Sequence, residues 1–241
     1  MSDRLALNTI TIKQETDLRR KIEIVAQSGF KGVGLWNDDV EAFQATGGDV
    51  AEVKAWVGDL GLTVAEMCFV GGWMYSEGDA RAQAFDTCKR RFEQAQRLGC
   101  AHVVACAAGH SGDLLRAVDD YAQLCDLAAE FGVSPPLEFL QGAEQVKDIN
   151  TAWDIVRRAD RPNGSILLDT FHFHVGGSRV EHLLDIPADR VGVVHANDAA
   201  AKEGLSDADR VFCGRGTFPL VPISATLFGL GFLGWISLEI F

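Results

Sequence analysis

Apolar runs of strand length alternate along this chain with stretches whose apolar residues return every three or four positions, and glycines mark most of the joins. Leu5 to Ile12 suits a first strand. In Glu15 to Ser28 the residues Leu18, Ile22, Ile24 and Val25 make a helical face that Gly29 ends. Lys31 to Trp36 reads as the next strand. A helix from Asp49 to Leu60 closed by Gly61, a strand over Leu62 to Val70 and a long helix from Asp79 to Leu98 closed by Gly99 continue the series. His102 to Ala108 is a strand, Gly112 to Phe131 a helix stopped at Gly132, and Ser134 to Leu140 a strand again. Asp148 to Arg158 turns Trp153, Ile155 and Val156 inward as a helix. The strand into Asp169, a helix near Arg179 to Leu184, the strand into His195, a helix over Pro222 to Leu230 and a last strand from Trp235 complete the chain. Between Ala199 and Pro219 no clean period survives, and in a compact domain such a stretch is usually a functional loop.

Strands alternating with helices over this length predict an α/β fold, a (β/α)₈ TIM barrel in which residues 1–241 form a single domain with its active site at the carboxyl ends of the strands. The chain stops at Phe241, two residues after Glu239, so the last helix of such a barrel is missing and a truncated tail is expected.

Composition narrows the partners. The chain is 47% hydrophobic and 23% charged, enough for one sizeable core. A net charge of -12 without a Lys/Arg cluster argues against nucleic acid, and strand-sized apolar runs argue against a membrane span. A small molecule is the expected partner, and a homo-oligomer is compatible with the chain. No charged start followed by an apolar signal segment appears at the N-terminus, so the expected compartment is the cytoplasm. Six cysteines show no ligand spacing and read as small buried hydrophobes.

The candidate chemistry lies at the ends of four late strands. Pro136-Leu-Glu-Phe-Leu140, Leu167-Leu-Asp-Thr-Phe-His-Phe-His174, Val191-Gly-Val-Val-His-Ala-Asn-Asp198 and Trp235-Ile-Ser-Leu-Glu-Ile-Phe241 each set an ionisable group in apolar surroundings. A lone buried charge costs several kcal/mol, so Glu138, Asp169, His195 and Glu239 on strands of one barrel should share a compensating cation. Three carboxylates and an imidazole suit one divalent ion, Mn²⁺ first, with Mg²⁺, Co²⁺ and Zn²⁺ also admitted. Asn8, Trp36, Glu66 and His110 fall near the ends of early strands and are candidates to line the pocket. His174 alternates with His172 and is placed to share its face.

At these residues the chain resembles the xylose-isomerase-like TIM-barrel family of sugar isomerases and epimerases, with LEF, LLDTFHFH, VHAND and SLEIF in the order of that family's Glu, Asp, His, Glu metal site. Specific motifs span about residues 133–241, and the N-terminal half matches only by its alternation. Within the family, LLDTFHFH and LSDADRVFCGRG are most similar to the 2-keto-myo-inositol (inosose) isomerases, although Cys213 stands where a proline is usual. The resemblance implies substrate contacts at His172 and Arg210. It also implies a metal-dependent isomerase or epimerase of a keto-sugar or keto-polyol, working through an enediolate with Glu138 and Glu239 as the proton-transferring pair. The alternatives are a lyase or dehydratase acting on a keto-polyol or keto-sugar at the same metal site, and a metal-bound barrel that binds ligand without turnover or serves as the subunit of a complex.

Overall fold

The computed structural model describes residues 2–241. Strands β1 (Leu5–Asn8), β2 (Gly32–Trp36), β3 (Thr63–Val70), β4 (Val103–Cys106), β5 (Leu137–Glu138), β6 (Ile166–Asp169) and β7 (Val191–Ala196) are followed by a short pair, β8 (Asp198–Ala199) and β9 (Arg210–Val211), and by β10 (Trp235–Leu238). Eight of them close a barrel in the order β1-β10-β7-β6-β5-β4-β3-β2, every neighbouring pair parallel. The helices are α1 (Leu18–Gln27), α2 (Asn37–Ala45), α3 (Val50–Asp59), α4 (Gly78–Leu98), α5 (Leu114–Ala129), α6 (Ile149–Ala159), α7 (Thr170–Val175) and α8 (Leu220–Gly229). None is long and apolar enough to cross a membrane.

Strand alternation splits the core into two layers. Val103 and Ala105 of β4, Ile166 and Leu168 of β6 and Val194 of β7 point outward against the helices. Val104, Leu167 and Val193 meet Cys68 on the inside. The inward parity continues two residues on, to Cys106 after Val104, Asp169 after Leu167 and His195 after Val193, with Cα register pairs Cys106 to Glu138, Asp169 to His195 and Ser237 to His195. Period-two alternation thus puts the ionisable groups on the barrel's inner face at its carboxyl end.

Four expectations need correction. The first strand ends at Asn8, whose side-chain oxygen accepts the Ile10 N–H and turns Thr9–Ile12 into a 3₁₀ segment. Helix α2 follows β2 directly and was not expected. Its weak apolar pattern hid it, and Asp38 and Asp39 in its first turn complement the helix dipole. The run Thr170 to His174 is helical rather than extended, because Asp169 caps it by accepting the N–H groups of Phe171 and His172 at 2.6 and 3.1 Å. The stretch after His195 carries the antiparallel pair β8 and β9 in place of structureless loop.

Candidate active site

Four side chains converge at the mouth of the barrel. Ligand atoms of Glu138, Asp169, His195 and Glu239 lie within 4.8 Å of one another, all four residues buried. The imidazole Nδ1 of His195 faces this cluster, 3.1 Å from Glu239 Oε2, 3.6 Å from Glu138 Oε1 and 3.8 Å from Asp169 Oδ2. It is buried yet makes no aligned hydrogen bond. An orphaned imidazole nitrogen aimed at three carboxylates is the donor set of a divalent cation site, so the residues fit the metal that the sequence suggests.

The other face of the ring is held. His195 Nε2 lies 2.8 Å from Glu66 Oε2, and Glu66 is fully buried. Burial opposes its charge, but the neighbouring His195 keeps the Glu66 carboxyl below its ordinary range. Burial likewise disfavours a charged His195, while Glu239 and Glu66 raise its proton affinity well above that of a free imidazole. The same field would favour any cation at Nδ1. Glu66 reaches the ring because Gly34 beside it has no side chain, and a Cβ there would overlap Glu66 Oε1. Glu66, Cys68 and His195 also form a compact trio. Burial pushes the Cys68 thiol far up, so it stays a poor ligand, and the four-residue cluster is the better cation site.

Asp169 is held ionised, well below the ordinary carboxylate range: burial works against the charge, and Arg210, His172 and His195 outweigh it. Asn197 Nδ2 adds contacts at 3.3 and 3.4 Å to its two oxygens. Glu239 behaves differently, its carboxyl raised by burial despite His195 and Arg210.

Arg210 reaches the cluster from β9. Its Nη1 donates to Asp169 Oδ2 at 2.6 Å and Glu239 Oε2 at 3.0 Å, and Nε and Nη2 both donate to Asp207 Oδ1. Nη2 also sits 3.3 Å from His172 Nε2. The guanidinium is thus directed at the protein's own carboxylates. Asp198 fixes the loop that carries it by accepting the N–H groups of Ala199, Gly214, Gly216 and Phe218. A Cβ on Gly216 would overlap Asp198 Oδ1 and Ala199 O, which gives the second glycine of Gly214-Arg215-Gly216 its role.

A cavity of about 390 Å³ opens over the cluster. Trp36, Phe69, Leu140 and Phe241 supply apolar wall, while Gln141, His172, Asp207 and Arg210 line it with Glu138, His195 and Glu239. Trp36 is where the sequence places it, its Nε1 donating to Asn8 Oδ1 at 2.7 Å. Asn8 itself is fully buried beneath the cavity, donating to Glu66 Oε1 and Glu239 Oε1 at 3.2 Å each. It anchors the carboxylates and does not line the cavity. His174 is overturned as a companion of His172: on helix α7 residues two apart point in different directions, and His174 is exposed and stacked on Phe218 at 4.4 Å. His110 is exposed against Tyr75, away from the cluster. Asn197, Asp198, Asp207 and Cys106 were not anticipated. For the first two the polar run closing Val-His-Ala-Asn-Asp was the available signal.

A family model described as the xylose isomerase-like TIM barrel matches residues 22–241. A 3-dehydroshikimate dehydratase of Pseudomonas aeruginosa is 32% identical over 241 residues, covering 96% of this chain and 37% of that protein. An inosose isomerase of Bacillus subtilis is 30% identical over 162 residues, 64% of this chain and 58% of that one. The chain therefore spans little more than a third of the length of the dehydratase relative. Among solved structures, the IOLI protein with a bound zinc atom superposes with a TM-score of 0.92 at 23% identity, covering 99% of this chain and 89% of that one. A xylose isomerase-like TIM barrel/4-hydroxyphenylpyruvate dioxygenase fusion protein gives 0.91 at 26% identity, covering 99% of this chain and 38% of that one.

Proposed function

The chain belongs to the xylose isomerase-like TIM barrel family, and from that premise we propose that it is a metal-dependent enzyme that removes a proton alpha to the carbonyl of a keto-polyol or keto-sugar and returns it as an isomerase or epimerase. The observation that carries this reading is the convergence of Glu138, Asp169, His195 and Glu239 on the unpartnered Nδ1 of His195 beneath a substrate-sized cavity. Those four residues would hold one divalent ion, with Mn²⁺ as the first candidate. When bound, it supplies Lewis-acid polarisation that lowers the cost of removing the alpha proton.

The chain's own residues do the rest. Glu138 and Glu239 reach the cluster from β5 and from the end of β10, which β6 and β7 separate in the barrel, and there one carboxylate can take the alpha proton and a carboxylic acid can return one to the adjacent carbon of the enediolate. If one glutamate serves both steps the carbonyl migrates, and if opposite faces are used a centre inverts. Arg210 and Asn8 fix Glu239, and Asn197 with the α7 N–H groups fixes Asp169, so the carboxylates are set before substrate arrives. Trp36, Phe69 and Phe241 offer flat apolar wall suited to the C–H face of a six-membered ring.

A second reading is favoured by the 96% coverage of this chain in its match to a 3-dehydroshikimate dehydratase. On the same site, the enediolate would expel a β-hydroxyl as water in place of being reprotonated. Incubating Mn²⁺-loaded protein in deuterated water with inososes, ketohexoses and 3-dehydroshikimate separates the two. Deuterium in recovered ketone or its isomer supports isomerisation, loss of water supports the dehydratase, and an unlabelled, unchanged panel overturns both.

A further inference from the structure

We propose that Cys106 is a positioning residue of this enzyme, its thiol holding Oε2 of Glu138 in place for proton abstraction. The inference rests on the reading of Glu138 as a proton-transferring base.

The two glutamates are held very differently. Glu239 accepts from Asn8 Nδ2 at Oε1 and from the Arg210 guanidinium at Oε2. For Glu138, Oε1 faces His195 Nδ1 at 3.6 Å, while Oε2 accepts a hydrogen bond from Cys106 Sγ at 3.4 Å, its one hydrogen-bond donor among the described residues. The oxygens therefore divide their contacts: Oε1 faces the His195 nitrogen of the cation site and Oε2 takes the thiol, and Glu138 and Cys106 both line the cavity. A guanidinium or amide donor stabilises a carboxylate anion strongly and so weakens it as a base, whereas a thiol is a weak donor that orients the oxygen with little loss of basicity.

The backbone builds the thiol in. Cys106 and Glu138 are register partners at the ends of β4 and β5, and Ala107 N–H donates to the Glu138 carbonyl oxygen at 3.1 Å, so the backbone fixes their juxtaposition.

The test uses Cys106→Val, Cys106→Ala and Cys106→Ser in the full chain loaded with Mn²⁺. Solvent deuterium exchange into the most active ketone of the panel, kcat, KM, metal content and the unfolding midpoint are measured on the same samples. Expected is a fall of about tenfold in kcat and in exchange for the Val and Ala variants, the scale of one lost orienting hydrogen bond, with KM and metal content unchanged. Serine, which donates from the same position, should stay within about twofold of the parent. Wild-type kcat in a folded Val or Ala variant overturns the proposal. So does a serine variant as impaired as valine, or a loss of activity that merely tracks loss of metal. Glu138→Gln run alongside separates the two levels. If it keeps exchange, the base assignment itself falls. If it abolishes exchange while Cys106→Val is unaffected, only the role of Cys106 is lost.

Discussion

Glu66 Oε2 sits 2.8 Å from His195 Nε2, across the ring from the Nδ1 that faces Glu138, Asp169 and Glu239. This pairing fixes which imidazole nitrogen is offered to a cation, and it raises the electron density at that nitrogen. A carboxylate behind a metal-ligating histidine typically contributes tenfold to a hundredfold in metal affinity.

Glu66→Ala is therefore expected to weaken divalent metal binding about tenfold to a hundredfold while leaving the four ligands in place. Titration with Mn²⁺ followed by calorimetry checks it. Unchanged affinity would mean that barrel packing alone orients the ring.

Asp169→Ala and His195→Ala should each abolish retention of metal through gel filtration, since each removes one of four proposed ligands from a closed cluster. Elemental analysis gives the answer. Full occupancy in both variants is incompatible with the proposed centre.

Glu138→Gln and Glu239→Gln keep side-chain volume and remove the proposed base. Each should reduce solvent exchange at the substrate's alpha carbon by a factor of about 10² to 10⁴, the usual weight of a general acid-base group. Thermal unfolding midpoints within a few degrees of the parent would show that the fold is intact. Exchange at parental rate in both variants would place the base elsewhere.

Arg210 and His172 should separate in their effects. His172 is buried at the cavity wall with its Nδ1 accepting from Gln141 N at 3.3 Å, and His172→Ala should raise KM or lower kcat with metal content intact. The Arg210 side chain is 1% exposed and paired with Asp169 and Glu239. Removing it takes the guanidinium partner from two buried carboxylates, so in the metal-free protein Arg210→Ala should also cost stability, on the order of 3–5 kcal/mol for a broken buried pair. Denaturant melts of the two variants, both stripped of metal, test the contrast.

Alkaline conditions should destabilise the fold through its thiols. Burial pushes Cys88, Cys100 and Cys125 up to about 12 from an ordinary value of 9.0. Between those values the unfolded chain releases thiol protons that the folded chain keeps, so folding stability is whole below pH 9 and falls as pH rises toward 12. Each such thiol steepens the loss by up to about 1.4 kcal/mol per pH unit. Urea melts from pH 8 to 10.5 on parent and on Cys125→Ala should show a shallower slope in the variant.

The linear order of residues determined the barrel, the direction of its strands and the four ligand candidates. Those depend on local periodicity and on the cost of burying a charge without a partner, both legible in one strand at a time. Glu138, Asp169, His195 and Glu239 stand out because each interrupts an apolar run, and the inward parity of β6 and β7 is the two-residue spacing of Leu167 to Asp169 and Val193 to His195. What only the tertiary structure decided is pairing across the ring. Glu66 and His195 are 129 residues apart, and Asn8 and Glu239 are 231 apart; nothing in either local sequence names the other, because barrel closure brings them together. His174 shows the same limit at short range. Its alternation with His172 suggested one shared face, but the carboxylate of Asp169 caps a helix there, and 3.6 residues per turn send the two rings to different sides.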